Sequence, residues 1–239
     1  MITLHHFSDV WGFDPNPFCL KTESYMRLAR IRFEKIASPG SMFRASEKKL
    51  PYIIDDGEVV AGSDTIIMHL RQKYNFWLDT WLNREQSGIA HAVSRMLEDG
   101  TYWVLTYSRW MEPNTYAKYR HVVLKKIPLP FRYTAAQIVR RAHKRACYHQ
   151  GISRYSPAEI YQIGARDIQA VASALGGNLY FFGDRPASVD TVIYGFLGNV
   201  YFAPLETEPK KSVGRHSNLI AYLNRMRNLI MGEKPDLSQ

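Results

Sequence analysis

The feature that most constrains the fold is a change of pattern at about Trp81. Before this point, short apolar runs alternate with helical patterns, whereas after it the strand signals stop. The first part predicts a buried strand at 2–7, a helix at 19–29, a half-buried strand at 31–36, a break at 38–40, a hairpin of 49–54 and 58–61 turning at Asp56-Gly57, and a helix capped by Ser63. This order is typical of a small α/β domain.

Beyond residue 81 the apolar residues follow helical spacing. One long stripe consists of Ile89, Val93, Met96, Gly100, Trp103, Tyr107 and Trp110. Further helical stretches are predicted at 135–149, 157–175, 188–202 and 217–230, with glycine-containing breaks at 176–177 and 183–186. The second part is therefore predicted to be an all-helical domain.

Composition narrows the class of protein. With 46% hydrophobic and 22% charged residues among 239, the chain has a globular balance rather than a disordered one. No apolar run approaches the roughly 18 residues of a membrane span, and no basic start precedes an apolar stretch as in a secretory signal. Two cysteines, Cys19 and Cys147, are too few for a disulfide framework. We therefore expect a cytoplasmic protein.

The positive charge is local. The chain has 31 Lys plus Arg against 22 Asp plus Glu, yet no acidic residue lies between Glu112 and Glu159. That stretch contains Lys118, Arg120, Lys125, Lys126, Arg132, Arg140, Arg141, Lys144, Arg145 and Arg154. A solvated basic face, an anionic membrane contact through residues 118–145 and nucleic-acid binding are the alternatives. No nucleic-acid motif accompanies the charge, so nucleic acid is the least favoured partner.

Five short segments occur in an informative order along the chain. They are Pro-Phe-Cys-Leu-Lys at 17–21, Lys-Leu-Pro-Tyr-Ile at 49–53, Gly-Ile-Ser-Arg at 151–154, Phe-Gly-Asp-Arg-Pro with Val-Asp at 182–190, and Asn-Leu-Ile-Ala-Tyr at 218–222. Together they resemble the glutathione transferase superfamily, in its metaxin and failed-axon-connections branch. The resemblance implies an α/β thioredoxin-like domain at 1–76, an all-α C-terminal domain at 82–232, glutathione as co-substrate, and a homodimer.

The resemblance also implies the residues that hold glutathione: Asn16, Phe18, Leu50, Pro51, Gly62, Ser63 and Asp64. Pro51 stands where the fold keeps a cis-proline, which exposes the backbone of Leu50 to the tripeptide; a trans-proline at a strand start is the alternative. In the family a serine at the position of Ser63 takes the γ-glutamyl carboxylate, aided by the helix N-terminus. A plain N-cap is the other interpretation. Gly62 departs from the acidic residue or glutamine that often precedes this serine.

The thiol position is occupied by an amide. The segment 16–19, Asn-Pro-Phe-Cys, resembles a Cys-Pro-x-Cys loop whose first cysteine is replaced by Asn16. Asparagine is neither a nucleophile nor a base, but its amide N–H can donate a hydrogen bond to a thiolate, which is the catalytic role predicted for Asn16. Tyr102 or Tyr107 could supply a hydroxyl to the same thiolate. Cys19, at the position of the resolving cysteine, is expected to be buried and inert.

A pocket for the second substrate is predicted from the loop after the first strand and the long helix. Its candidate residues are Trp11, Phe13, Trp103, Arg109 and Trp110. The alternative is that these aromatic residues form core, as a stripe at helical spacing usually does. No metal site is predicted, because His5 and His6 point to opposite faces of a strand. In the helical half, Ala187 stands where a capping Ser or Thr is usual, so Ser188 is the expected cap.

Two functions from different classes remain open. The first is a glutathione transferase that conjugates or reduces a small apolar electrophile. The second is a non-catalytic scaffold of the same fold, or a protein that contacts a membrane surface through residues 118–145, which mix apolar and basic side chains. The absence of a nucleophile at Asn16 favours the second, and the other predicted glutathione contacts favour the first.

Overall fold

The structure is a computed structural model that describes residues 1–37, 49–125 and 127–232. The N-terminal half consists of β1 (Ile2–His6), α1 (Pro17–Leu28), β2 (Phe33–Ala37), β3 (Tyr52–Asp55), β4 (Glu58–Ala61) and α2 (Ser63–Tyr74). The break predicted at 38–40 lies outside the described residues. The order of elements is the predicted one, and the α/β prediction for this half is confirmed.

The four strands form one mixed sheet in the order β2-β1-β3-β4. β1 runs parallel to β2, with Leu4 opposite Lys35, and antiparallel to β3, with Leu4 opposite Ile53. β3 and β4 form the predicted hairpin, in which both Asp56 and Gly57 have positive φ. One face of the sheet packs on α1 and α2 through Leu4, Tyr25, Met26, Ile53, Ile66 and Leu70.

The C-terminal half is entirely helical in its described residues. Its elements are α3 (Arg84–Arg95), a π-helix (Met96–Thr101), α4 (Tyr102–Trp110), α5 (Pro113–Val123), α6 (Leu129–Gln150), a 3₁₀ turn (Ile152–Arg154), α7 (Pro157–Leu175), α8 (Ser188–Ile193), a second π-helix (Tyr194–Gly198), α9 (Asn199–Tyr201), α10 (Glu208–Gly214) and α11 (Ser217–Met231). The residues of the predicted long stripe lie on α3, the first π-helix and α4, which follow one another without a break. Within the described ranges no helix is long and apolar enough to cross a membrane.

Several boundaries differ from the predictions. α5 and α10 were not predicted, and α6 begins at Leu129 rather than at 135. Each of these helices has a proline in its first turn: Pro113, Pro130 and Pro209. In the first turn no backbone N–H has an intrahelical partner, so the missing N–H of proline removes no hydrogen bond. Ser63 was predicted to cap α2, but the cap is Gly62, with φ of 91°. Ser63 is the first helical residue instead.

Ser188 was the expected cap of α8, and this prediction is wrong. The N-cap residue is Ala187, and the Asp190 carboxylate accepts its N–H at 2.7 Å. Ser188 lies one residue further in, where both its N–H and its hydroxyl donate to Asp79, at 2.7 and 2.6 Å. Asp79 also pairs with Arg71 of α2, so this contact joins the two halves.

The two halves meet closely along α1. A Cβ built on Gly195, in the second π-helix, would lie 2.9 Å from the N, Cα and Cβ atoms of Lys21. Phe13 and Leu20 belong to the large core of the helical half, although they come from the first twenty residues. α1 is therefore shared between both cores, which holds its N-terminus in a defined place.

Candidate functional site

Asn16 is the N-cap of α1. Its Oδ1 accepts hydrogen bonds from the backbone N–H groups of Phe18 and Cys19, at 2.9 and 3.2 Å. Because Oδ1 is engaged by the helix, the Nδ2 group is left with two N–H donors, and it has no hydrogen-bond partner among residues 1–37, 49–125 and 127–232. The half-buried amide thus presents donors, together with the positive end of α1, at the predicted thiol position.

Arg109 holds the loop that carries Asn16. Its guanidinium donates to the carbonyl of Pro15 at 2.9 Å and to Asn199, at 2.9 Å to the carbonyl and 2.7 Å to Oδ1. Asn199 Nδ2 in turn donates to the carbonyl of Asp14 at 2.8 Å. Arg109 was predicted to line the second-substrate pocket, and this is corrected: the side chain is 3% exposed and all these contacts are with protein.

The peptide bond between Leu50 and Pro51 is cis, as predicted. The Pro51 carbonyl accepts from Gly62 N–H at 3.1 Å, which fixes the loop to the start of α2. The backbone of Leu50 makes no hydrogen bond with the described parts of the chain, while its side chain packs on Cys19 and Tyr52. Leu50 therefore offers a free backbone beside the first turn of α1.

The N-terminus of α2 is uncapped. Gly62 supplies no side chain, and the first intrahelical bond runs from Ile66 N–H to the Gly62 carbonyl at 2.9 Å. The N–H groups of Ser63, Asp64 and Thr65 precede this bond and have no partner in the described residues. Such a helix end favours an anion.

A buried lysine lies against this helix end. Lys21 of α1 is 2% exposed, and its Nζ donates to Ser63 Oγ at 3.3 Å. The same ammonium pairs with Asp64 and with Glu98. Burial raises the pKa of Glu98, and the neighbouring Lys21 opposes that rise. Lys21, Ser63, Asp64 and Glu98 therefore form one cluster of interacting side chains.

Of the two candidate tyrosines, one lies near the thiol position. Tyr102 packs edge-on against Phe18, with ring centroids 5.1 Å apart, and burial raises the pKa of its hydroxyl. Tyr107 instead contacts Tyr161 and packs on the apolar cluster around Cys147. That cluster contains none of the predicted glutathione contacts, so the placement of Tyr107 does not support the predicted hydroxyl contact.

The predicted aromatic pocket is largely core. Phe13 and Trp110 are 5% and 8% exposed, and Trp110 stacks on His143 with centroids 4.4 Å apart. For these two residues the core alternative is correct, because both belong to the large core cluster of the helical half. Trp11 and Trp103 are half-buried and pack on separate core clusters, so the structure does not bring the two together.

Both cysteines are buried. Cys19 is fully buried as expected, and burial raises the pKa of its thiol well above the usual range. Burial also raises the pKa of the Cys147 thiol, to about 11. Neither thiol is therefore suited to act as a nucleophile at neutral pH.

One cluster in the loop after β1 was not predicted. His6, Asp9 and Asp14 have potential metal-ligand atoms within 4.8 Å of one another. However, His6 Nδ1 lies 3.0 Å from Asp14, and Asp9 pairs with Lys35 at 2.9 Å. Burial raises the pKa of Asp14 to about 6. These groups already satisfy one another, so we assign the cluster a role in holding the loop.

An open cleft of about 580 Å³ lies between α2, the linker and α3. It is lined by charged side chains that include Lys21, Asp64, Arg71, Arg95 and Glu98. None of the five residues predicted for the second substrate lines it. The described cleft therefore adjoins the predicted γ-glutamyl end of the site, not its thiol end.

Sequence reasoning missed Lys21, Glu98 and Asn199. Lys21 contacts Glu98, which lies 77 residues away in the sequence, and Arg109 contacts Asn199, which lies 90 residues away. Local sequence patterns do not predict contacts between residues so far apart.

Comparison with known proteins agrees with this fold. Residues 17–115 match the glutathione S-transferase N-terminal domain, and residues 164–226 match the glutathione S-transferase C-terminal domain. Failed axon connections of Drosophila melanogaster is 28% identical over 89% of this chain, which spans 54% of the fly protein's length. An isoprene-epoxide–glutathione S-transferase of Rhodococcus sp. is 28% identical over 95% of this chain and 98% of its own. Metaxin-1 of Mus musculus is 26% identical over 93% of this chain and 73% of its own.

Solved structures share the fold. A glutathione transferase from Phanerochaete chrysosporium aligns with a TM-score of 0.68 at 15% identity, covering 99% of this chain and 98% of its own. A glutathione S-transferase of Ceriporiopsis subvermispora, solved in complex with glutathione, has a TM-score of 0.64 at 13% identity and covers 98% of this chain and 99% of its own. Because residues 17–115 and 164–226 match the two domains of one family, the chain belongs to the glutathione S-transferase superfamily, with relatives in its metaxin and failed-axon-connections branch.

Proposed function

We propose that this protein binds glutathione and conjugates it to, or uses it to reduce, a small apolar electrophile. The observation that carries the proposal is the Asn16 amide: its oxygen is fixed by α1 and its N–H donors are left free. A thiolate placed there would accept a hydrogen bond from Nδ2 at the positive end of a helix. Both effects favour the thiolate over the thiol.

The peptide part of glutathione has two further contacts in this proposal. The free backbone of Leu50 beside cis-Pro51 would pair with the cysteinyl residue. The unpaired N–H groups at the start of α2, with Ser63 Oγ, would hold the γ-glutamyl carboxylate. Phe18, Gly62 and Asp64 border these contacts. Lys21 Nζ donates to Ser63 Oγ at 3.3 Å, which holds that hydroxyl beside the unpaired N–H groups.

The chemistry asked of the protein is modest. In conjugation the sulfur forms a bond to an electrophilic carbon as that carbon loses its bond to an epoxide oxygen or a halide. Solvent protonates the alkoxide of the opened epoxide, whereas a halide leaves as the anion. Because Asn16 cannot accept a proton, the protein acts by favouring the thiolate rather than by removing the proton itself. The Rhodococcus relative is named for an epoxide substrate, so an epoxide is the first electrophile to try.

A non-catalytic scaffold is the second candidate, and one observation favours it. Asn16 has no proton-accepting group of its own, and burial raises the pKa of Tyr102 rather than lowering it. Such a protein would bind glutathione without turnover.

For either candidate function we also propose, from the family resemblance, that the protein forms a homodimer and is cytoplasmic.

Calorimetric titration of reduced glutathione and of S-methylglutathione tests the proposal. Asn16→Asp keeps the helix cap but removes both N–H donors, so it should weaken binding of glutathione above neutral pH and change S-methylglutathione binding far less. Ser63→Ala should weaken both ligands. The exposed neighbour Thr65→Ala is the matched control and should weaken neither.

Turnover is then measured separately with an epoxide and with a halide electrophile. Conjugate formation that is lost in Asn16→Asp supports the transferase. Glutathione binding with no conjugate supports the scaffold. Absence of heat and of thermal stabilisation by glutathione would contradict the whole proposal.

A further inference from the structure

The charge excess of this protein is confined to one segment. Ten of its 31 basic residues and none of its 22 acidic residues lie between Glu112 and Glu159, so the remainder holds 21 basic against 22 acidic residues. Elsewhere, cations such as Lys21, Lys35, Lys73 and Arg95 form ion pairs. The nine described cations of the segment form none with the described carboxylates; Lys126 lies outside the described residues.

Some of these cations have structural roles. Arg140 donates to the carbonyls of Trp110 and Met111, at 3.0 and 3.1 Å, and its guanidinium lies over the Tyr116 ring. Arg132 donates to the carbonyls of Lys125 and Ile127. These contacts attach α6 to α4 and close its N-terminus. They leave Arg141, Lys144 and Arg145 as exposed cations on a helix held firmly in place.

The same helix exposes large apolar side chains. Of its 22 residues only Ala136 and Cys147 are fully buried. The exposed apolar residues are Leu129 at 75%, Phe131 at 68%, Tyr133 at 66%, Ile138 at 60% and Tyr148 at 56%. A monomer surface rarely collects so many on one element without a partner.

Helical geometry places apolar and basic residues together. Phe131, Ile138 and Arg145 are spaced by seven residues, which is about two helical turns, so they lie in one row along α6. Arg141 and Tyr148 have the same spacing and form the neighbouring row. Ala136 and Cys147 lie on the opposite, buried side. We call Phe131, Ile138, Arg141, Lys144, Arg145 and Tyr148 the α6 surface.

We propose that the α6 surface docks the protein onto an anionic phospholipid bilayer. The cations would lie among anionic headgroups while Phe131, Ile138 and Tyr148 enter the boundary with the acyl chains. A nucleic acid would use the cations but gain little from the aliphatic and aromatic side chains at this spacing, which is why a lipid surface fits better. The contact is peripheral, since only side chains on one face of α6 take part and the opposite face is buried in the protein.

Sedimentation with vesicles tests this assignment on the full chain. Wild-type protein is mixed with phosphatidylcholine vesicles that contain or lack phosphatidylserine, over a series of salt concentrations. Binding should require phosphatidylserine and fall as salt rises. Arg141→Gln/Lys144→Gln/Arg145→Gln should lower the partition coefficient on the order of 100-fold, because each juxtamembrane cation contributes about 1 kcal/mol.

Two further variants separate the possible partners. Phe131→Ser/Ile138→Ser changes only exposed side chains and should also reduce vesicle binding, with melting temperature unchanged. Arg84→Gln/Lys211→Gln/Arg215→Gln removes the same charge from exposed sites elsewhere and should bind like wild type. Equal binding to vesicles without phosphatidylserine, or full binding by the apolar variant, would overturn the proposal. If duplex DNA competes with vesicles for the protein, and the apolar variant binds that DNA as well as wild type does, the surface would be assigned to nucleic acid instead.

Discussion

Replacing Lys21 by methionine should destabilise the protein strongly. Lys21 and Glu98 are 2% and 3% exposed, so the variant leaves a carboxylate buried between the two halves without its main partner. Loss of one member of a buried ion pair costs about 3–5 kcal/mol. We expect about 3 kcal/mol, the lower end of that range, because Arg95 remains 3.5 Å from Glu98. The contact of Lys21 with Asp64 adds little, since Asp64 is largely exposed.

Urea denaturation measures this loss. With an m-value of about 3 kcal/mol/M, a loss of about 3 kcal/mol moves the midpoint down by about 1 M. Lys211→Met is the matched control, because Lys211 pairs with Glu208 where both side chains are about half exposed. That variant should lie within about 0.5 kcal/mol of wild type.

A double variant separates the charge effect from packing. Lys21→Met/Glu98→Gln removes both buried charges, so it should be more stable than Lys21→Met alone, with a coupling energy of about 2 kcal/mol. Additive effects of the two substitutions, or a Lys21→Met variant as stable as the Lys211→Met control, would refute the buried ion pair.

Three further outcomes are expected. Gly195→Ala should cost about 1–3 kcal/mol in urea denaturation, since its Cβ would meet Lys21 backbone atoms at 2.9 Å, whereas Gly88→Ala on an open face of α3 should be neutral or stabilising; equal stability of the two variants would contradict the close packing. The pKa of Asp14 is raised to about 6 in the folded state, so its stabilising contribution is complete below pH 4 and is lost as pH rises through 6; Asp14→Asn should flatten that part of the stability profile, and an unchanged profile would argue against the shift. Both thiols should resist a disulfide reagent in native protein and react once it is unfolded, because Cys19 and Cys147 are buried with raised pKa values; rapid labelling of native protein would contradict this.

Much of the fold could be predicted because its signals are local. The Asp56-Gly57 turn and the helix at Pro157–Leu175 depend on neighbouring residues and were predicted correctly, whereas the cis-proline before β3 was expected only from the family resemblance. α5 and α10 were missed although Pro113 and the pair Thr207 with Pro209 are helix-start signals. The polar residues between the apolar positions of those short helices weakened the periodic pattern.

The site was harder to predict because it depends on distant partners. The resemblance to a Cys-Pro-x-Cys loop placed Asn16 at a helix start, but which of its atoms is free follows from the bonds to Phe18 and Cys19. Arg109 was expected to face a substrate, whereas Asn199 and Pro15 bury it. Ser63 is a similar case: the N-cap residue is its neighbour Gly62, and its hydroxyl oxygen accepts a hydrogen bond from Lys21.

The most direct test of the Asn16 site is the ionisation of bound glutathione. Thiolate absorbance in the ultraviolet, recorded against pH with wild type, Asn16→Asp and no protein, reports the thiol pKa in each case. The amide donors and the α1 N-terminus should lower that pKa below the usual value of about 8.5 in wild type, and Asn16→Asp should restore or raise it while keeping its helix cap. A bound thiol that titrates as in free solution, or equally in both proteins, would contradict the role assigned to Asn16.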